Sequence, residues 1–229
     1  MQNNTAILLF ASLVLVTMIS GCTSPEPTIN TDSAPKIIEG AELYKVENSR
    51  ADLAYVDKNI DFSRFKTIYI EPLNFSKLKI VQPSISVGSK PFELTEKSKA
   101  KFNAINQKVL ANRLSENGGY KIVDAPQADS LIIANYLLEL RPNATNEANR
   151  QVSARTKVFT EGSGSMTIGS IFIDGEKKSV IAMIEDEKKS LQLWQENTEM
   201  SNIRDVELMF NGWGKAIRTR LDAIKNKSP

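Results

Sequence analysis

Residues 165–187 read SMTIGSIFIDGEKKSVIAMIEDE, two apolar-rich runs on either side of Asp174-Gly175. In both runs Ile, Val, Met and Phe recur among small or polar residues, and Asp-Gly is a favoured hairpin dipeptide. Residues 165–174 and 179–187 are therefore expected to pair antiparallel. The connecting loop is expected to exceed two residues, because Glu176-Lys177-Lys178 follow the glycine. An antiparallel-rich sheet is the starting point, and the other elements decide what lies on it.

Upstream, Asp61-Phe62-Ser63-Arg64-Phe65-Lys66 leads into Thr67-Ile68-Tyr69-Ile70-Glu71-Pro72, whose alternation and β-branching read as a strand stopped by Pro72. Residues 75–92, with prolines at 83 and 91, read as a long loop. A helix is expected from Thr95, with Phe102, Ile105, Val109 and Leu114 near one face and Gly118-Gly119 ending it. Residues 120–123 make a short strand. Residues 130–140, SLIIANYLLEL, make a longer one, although that length also suits a helix. Residues 143–150 read as a loop, and residues 151–159 alternate weakly.

The closing element is the plainest. Ile203, Val206, Phe210, Trp213, Ile217, Leu221 and Ile224 recur every three or four residues, one apolar stripe over six turns. Ser201 or Asn202 is expected to cap it. Asp205 and Glu207 near its start and Lys215, Arg218, Arg220 and Lys225 near its end suit the helix macrodipole. Gly212 and Gly214 flank Trp213, which predicts a close backbone contact around the indole. Together these elements predict a single α+β domain over residues 37–229: an antiparallel-rich sheet with two main helices packed on one face.

Composition removes much of catalysis. The chain of 229 residues has 29 Lys+Arg against 27 Asp+Glu, one cysteine and no histidine. Without histidine there is no Ser-His-Asp triad, Cys-His pair or histidine-bound metal. One cysteine excludes an intramolecular disulfide and cysteine-rich metal sites. A net charge of +2 gives no concentrated basic face for nucleic acid. No cofactor or metal is expected.

Residues 6–19, AILLFASLVLVTMI, are uncharged, too short to span a bilayer and suited to the core of a secretory signal. The preceding MQNNT has no Lys or Arg, unlike most signals. Ile19-Ser20-Gly21-Cys22 resembles the lipobox of bacterial lipoproteins. The resemblance implies cleavage between Gly21 and Cys22, a diacylglycerol on the Cys22 sulfur and acylation of its new amino group. Two or more chains make such anchoring stable. Residues 1–21 are then a signal peptide and 22–36 the lipidated cysteine and a proline-rich tether, which at roughly 3.3 to 3.6 Å per residue reaches about 50 Å. Thr23, where enterobacterial lipoproteins kept at the inner membrane carry Asp, implies export to the outer membrane. The runs DFSRFKTIYIEP, NGGYKIVDAPQADS and NIRDVELMFNGWGKAIRTRLD resemble the Gram-negative lipoproteins of domain of unknown function 3313, a family that implies an envelope lipoprotein and supplies no catalytic residues.

The remaining chemistry is sparse. Gly162-Ser163-Gly164-Ser165 lacks the Lys-Ser/Thr of a phosphate loop and has Thr167 where a dinucleotide fingerprint needs glycine, so it reads as a flexible turn. Ser-x-x-Lys occurs at Ser33, Ser63, Ser76 and Ser98, little more often than chance gives, without the accompanying Ser-Asp-Asn or Lys-Thr-Gly. Glu185, Asp186 and Glu187 read as a solvated charge run. The basic end of the last helix is expected to face water, with contact to anionic lipid as the alternative. Trp194 and Trp213 are expected in the core, with anchoring of a partner as the alternative. The function these readings favour is a non-catalytic binding or accessory protein on the periplasmic side of the outer membrane, with an envelope protein as partner. A carboxylate hydrolase acting on cell-wall or lipid material and a surface-displayed lipoprotein are the rivals.

Overall fold

The computed structural model describes residues 25–84, 90–145 and 157–225. Cys22, Gly21 and the rest of the signal region lie outside them.

The expected hairpin is the middle of the sheet. Strand β10 (Gly164–Asp174) pairs antiparallel with β11 (Val180–Lys189), from Ser165 opposite Lys189 to Ile173 opposite Val180. On its other edge β10 pairs antiparallel with β8 (Ser130–Pro142). Strand β8 takes the extended form although its length suits a helix. Leu131, Ile132, Ile133 and Ala134 are all buried, so the run is covered on both faces, which accounts for apolar residues without alternation.

The two halves of the chain build opposite flanks. Beyond β11 the order runs through β4 (Leu53–Val56) and β3 (Ala41–Glu47) to β1 (Thr28–Ile29), while β2 (Lys36–Ile38) also pairs with β3; all these pairings are antiparallel. Beyond β8 lie β5 (Thr67–Ile70) and then β7 (Lys121–Val123), both in parallel register, and the short β6 (Lys79–Ile80) also joins β8 in parallel. Antiparallel pairing predominates, and the strand–helix–strand connection from β5 to β7 supplies the parallel part. Two further strands, β9 (Phe159–Glu161) and β12 (Trp194–Glu196), form a separate antiparallel ribbon.

The stretch read as a tether is partly taken up by the body. Thr28 and Ile29 pair with Glu47 and Val46, and the Asn30 side chain accepts the backbone N–H groups of Asp32 and Ser33, turning the chain. Proline content alone does not keep a segment free when an open strand edge lies beside it.

Helix α1 (Glu96–Ser115) starts at Thr95 as expected, whose hydroxyl accepts the Ser98 N–H at 3.2 Å. Its buried face is Ile105, Asn106, Leu110 and Leu114, with Phe102 and Val109 half-buried, so the stripe expected from sequence is rotated from the true one. The cause is Asn106, a polar residue in the core. It accepts the Asn135 side-chain amide at 2.8 Å, and Asn135 in turn accepts the Ser170 hydroxyl at 2.6 Å. Helix α2 (Glu199–Lys225) buries the predicted stripe, with Phe210 and Trp213 at 0 and 1 % exposure. It begins earlier than expected and Thr198 caps it: the Ser201 N–H donates to the Thr198 hydroxyl and the Thr198 N–H to the Ser201 hydroxyl. The two helices pack on each other and share one core with the sheet. At Gly214 a Cβ would lie 3.1 Å from Arg113 Cβ, so this glycine lets α1 and α2 approach.

Candidate functional site

A cleft of about 440 Å³ opens where the first turns of α1 and α2 meet the end of β8 and the turn between β9 and β10. Its floor is apolar: Phe102 and Ile105 from α1, Leu140 from β8, Met166 from β10, Val206 and Met209 from α2. At its mouth the Lys101 ammonium pairs with the Glu199 carboxylate, tying the helices together. That hydrogen bond and charge hold the Glu199 carboxyl below its usual range. Both helices turn their N-termini toward the cleft, the ends where unpaired N–H groups leave partial positive charge.

The cleft wall holds polar atoms that have no partner among the described residues. The Asn202 amide donates to Asn197 Oδ1 at 2.8 Å, which leaves Asn197 Nδ2 and Asn202 Oδ1 unpaired. The hydroxyls of Thr160 and Ser163 are buried and unpaired as well. Behind them Asp205 is fully buried. Its Oδ2 accepts the Ser163 N–H at 3.1 Å and the Gln195 amide at 2.7 Å, while its Oδ1 has no hydrogen bond and stands 3.9 Å from the Arg204 guanidinium. An unpaired buried polar group costs about 1–3 kcal/mol. The four such atoms on the cleft-lining residues Thr160, Ser163, Asn197 and Asn202 give the arrangement of a ligand pocket, an apolar body with a few convergent polar groups.

The Gly-Ser-Gly-Ser run is part of this wall: Gly162 and Ser163 bend the chain, and Gly164 and Ser165 begin β10. Gly162 and Gly164 have φ of +70° and +122°, and a Cβ on Gly164 would lie 1.9 Å from the Arg141 carbonyl oxygen. Glycine is needed there for both conformation and space. Ser98 and Lys101 also line the cleft, but they do not act as a pair: the Ser98 hydroxyl lies 3.0 Å from that of Thr95 and Lys101 is held by Glu199.

The acidic run 185–187 is not a solvated patch. Strand alternation turns Asp186 inward, where it accepts the Trp213 indole N–H at 2.9 Å and the Lys188 ammonium at 3.0 Å, and its other oxygen takes the Asp52 N–H at 3.2 Å. Glu185 and Glu187 flank it on the opposite face, so the three carboxylates do not converge. Gly212 lies under the Lys188 side chain, with which a Cβ would make contact at 3.0 Å. Trp213 is in the core as expected. Trp194 is not: it stands 75 % exposed on β12, near the exposed Leu191, Leu193 and Phe159 in sequence or register. The basic end of α2 is only partly solvated, because Arg218 reaches back to donate to the carbonyls of Leu114 and Glu116 at the end of α1, at 3.0 and 2.8 Å, and pairs with Asp222. No periodicity announces that contact; a long cation near a helix end is the only signal.

Among the described residues no group of three or more His, Cys, Asp or Glu is placed to hold a metal ion, and no helix is long and apolar enough to cross a membrane.

Residues 42–217, from β3 into α2, match the family described as protein of unknown function DUF3313. The chain belongs to that family. No curated protein matches the sequence. Among solved structures it is similar to a PelC dodecamer from Paraburkholderia phytofirmans that carries a leucine-to-methionine substitution, at 9 % identity and a TM-score of 0.40, over 73 % of this chain and 97 % of that one. It is also similar to a DUF330 protein from Xanthomonas campestris, at 6 % identity and a TM-score of 0.39, over 76 % and 95 %.

Proposed function

We propose that this DUF3313 member is a lipid-anchored lipoprotein, held through Cys22 on the periplasmic face of the outer membrane, whose body binds a ligand between α1 and α2 without transforming it. The observation that carries the binding role is the cluster of buried, unpartnered polar atoms of Thr160, Ser163, Asn197 and Asn202 on an apolar floor. Both amide and hydroxyl groups are on offer, so the ligand is one with donors and acceptors on an apolar body. Support for the anchor is the lipobox ending at Cys22. Support for binding without catalysis is that Asp186, Ser98 and Lys101, the most reactive-looking side chains in the sequence, are each engaged in structural contacts.

Two experiments test this. Cys22→Ser should abolish incorporation of labelled palmitate; undiminished labelling removes the anchor. Native mass spectrometry of the protein extracted from membranes should show an added mass that is lost in Asn202→Leu and Ser163→Ala. An unliganded spectrum, together with no product from a photoreactive residue placed at Lys97 in intact cells, removes the binding role. Protease treatment of intact cells separates the periplasmic orientation from surface display, and digestion of the lipoprotein in unbroken cells overturns the former.

A further inference from the structure

A second cavity, of about 430 Å³, lies at the other end of α2. Small side chains create it: Ala54 on β4, Ala182 on β11, and Ala216 and Ala223 on α2 leave a groove between helix and sheet, walled by Phe62 and Ile184. Its volume falls within the roughly 300–1,000 Å³ of ligand pockets. The interior is apolar, and charge is confined to exposed Arg50, Lys58 and Arg220 and to Glu26 and Asp57 at the margin. A long, unbranched, apolar chain suits such a space better than a polar ligand does.

The identity of that chain follows from where the polypeptide enters the body. Glu26, Pro27 and Ile29 form one wall of the groove, and the described chain starts at Pro25. At roughly 3.3 to 3.6 Å per residue, Cys22 lies within about 11 Å of Pro25. We propose that the groove houses one acyl chain of the protein's own lipid anchor. The inference rests on the lipidation of Cys22 proposed above. A chain carried that close binds intramolecularly, at an effective concentration of order millimolar. A cysteine bearing three acyl chains keeps two for the bilayer when one is housed, the number that stable anchoring needs. The body is then drawn down onto the membrane rather than standing off on its tether.

The test uses the full chain in cells fed a palmitate analogue with a diazirine near the end of the chain. After irradiation, cross-links should map to peptides carrying Ile184 and residues 216–224, and they should be lost in Ala216→Phe, which fills the groove. Ala223→Phe, at the half-exposed margin, is the second variant in case the first does not fold. Intact mass reads lipidation separately. Lipidated protein whose cross-links map only to residues before Glu26 or to bilayer lipid overturns this inference and leaves the anchor standing. Groove cross-links that persist in a Cys22→Ser form exported behind a cleavable signal overturn it as well, because the occupant is then a free membrane lipid. Absence of lipid mass on Cys22 overturns the anchor and the inference together.

Discussion

Thr160→Val exchanges a buried hydroxyl for a methyl group of nearly the same size on a strand, where valine is at least as well accommodated as threonine. Thr160 Oγ1 has no partner among the described residues, so the native protein bears a desolvation penalty of about 1–3 kcal/mol that the valine removes. Thr160 is half-buried, which places the gain near the lower figure, about 1 kcal/mol. For a body of this size that raises Tm by about 2–4 °C. Thr67→Val is the matched control, because Thr67 Oγ1 lies 2.7 Å from the Ser130 hydroxyl and 3.3 Å from Asp129. There the same exchange takes the Thr67 partner from the buried Ser130 hydroxyl, leaving it only the Gln127 N–H at 3.0 Å, and should lose about 1–2 kcal/mol. Urea unfolding followed by circular dichroism, with equal m-values required, reads both. If Thr160→Val is destabilising to the same extent as Thr67→Val, the cleft hydroxyl is already satisfied in the free protein and the argument for a waiting ligand fails.

Three other outcomes are expected. Asp186→Ala strands the Trp213 indole N–H and should cost about 2–4 kcal/mol, and the double variant with Trp213→Phe should cost clearly less than the sum of the two; additivity in a double-mutant cycle refutes the contact. Gly164→Ala should cost about 2 kcal/mol or more, measured by thermal unfolding, because its Cβ meets the Arg141 carbonyl at a left-handed φ. The Glu199 carboxyl should titrate below the usual 4.5, so the stability its pairing contributes is present above that pH and lost as pH falls through the lowered value. Carboxyl NMR should show this, and in Lys101→Ala the titration should return to the usual range.

What could be read from sequence were the features that repeat along the chain. The stripe of α2, the Asp-Gly hairpin and the start of α1 at Thr95 are local patterns, and all three stand in the structure. The parallel flank was illegible because pairing of β5 with β7 and β8 is a matter of which edges meet, and no residue encodes it locally. The face of α1 was misread at Asn106, since a core asparagine looks like a surface residue until its partner Asn135 is known. Trp194 failed the other way, an aromatic left outside because the narrow β9–β12 ribbon has little core to offer it. The cleft itself left almost no trace: Thr160, Ser163, Asn197 and Asn202 are ordinary polar residues, distinguished only by what they lack after folding.

The arrangement of α2 bears on the order in which the protein can acquire its structure. The helix follows every strand it covers, and Phe210 and Trp213, its fully enclosed residues, fill the middle of the core. Asp52, whose N–H donates to the Asp186 carboxylate just before β4, lies 134 positions from it. Until α2 arrives, α1 alone covers the apolar face of the sheet, and non-local pairing of this kind is slow. A chain threaded across a membrane from its N-terminus would therefore leave the part of the core that Phe210 and Trp213 fill open to water until α2 emerged, the interval in which an export chaperone has the most to do.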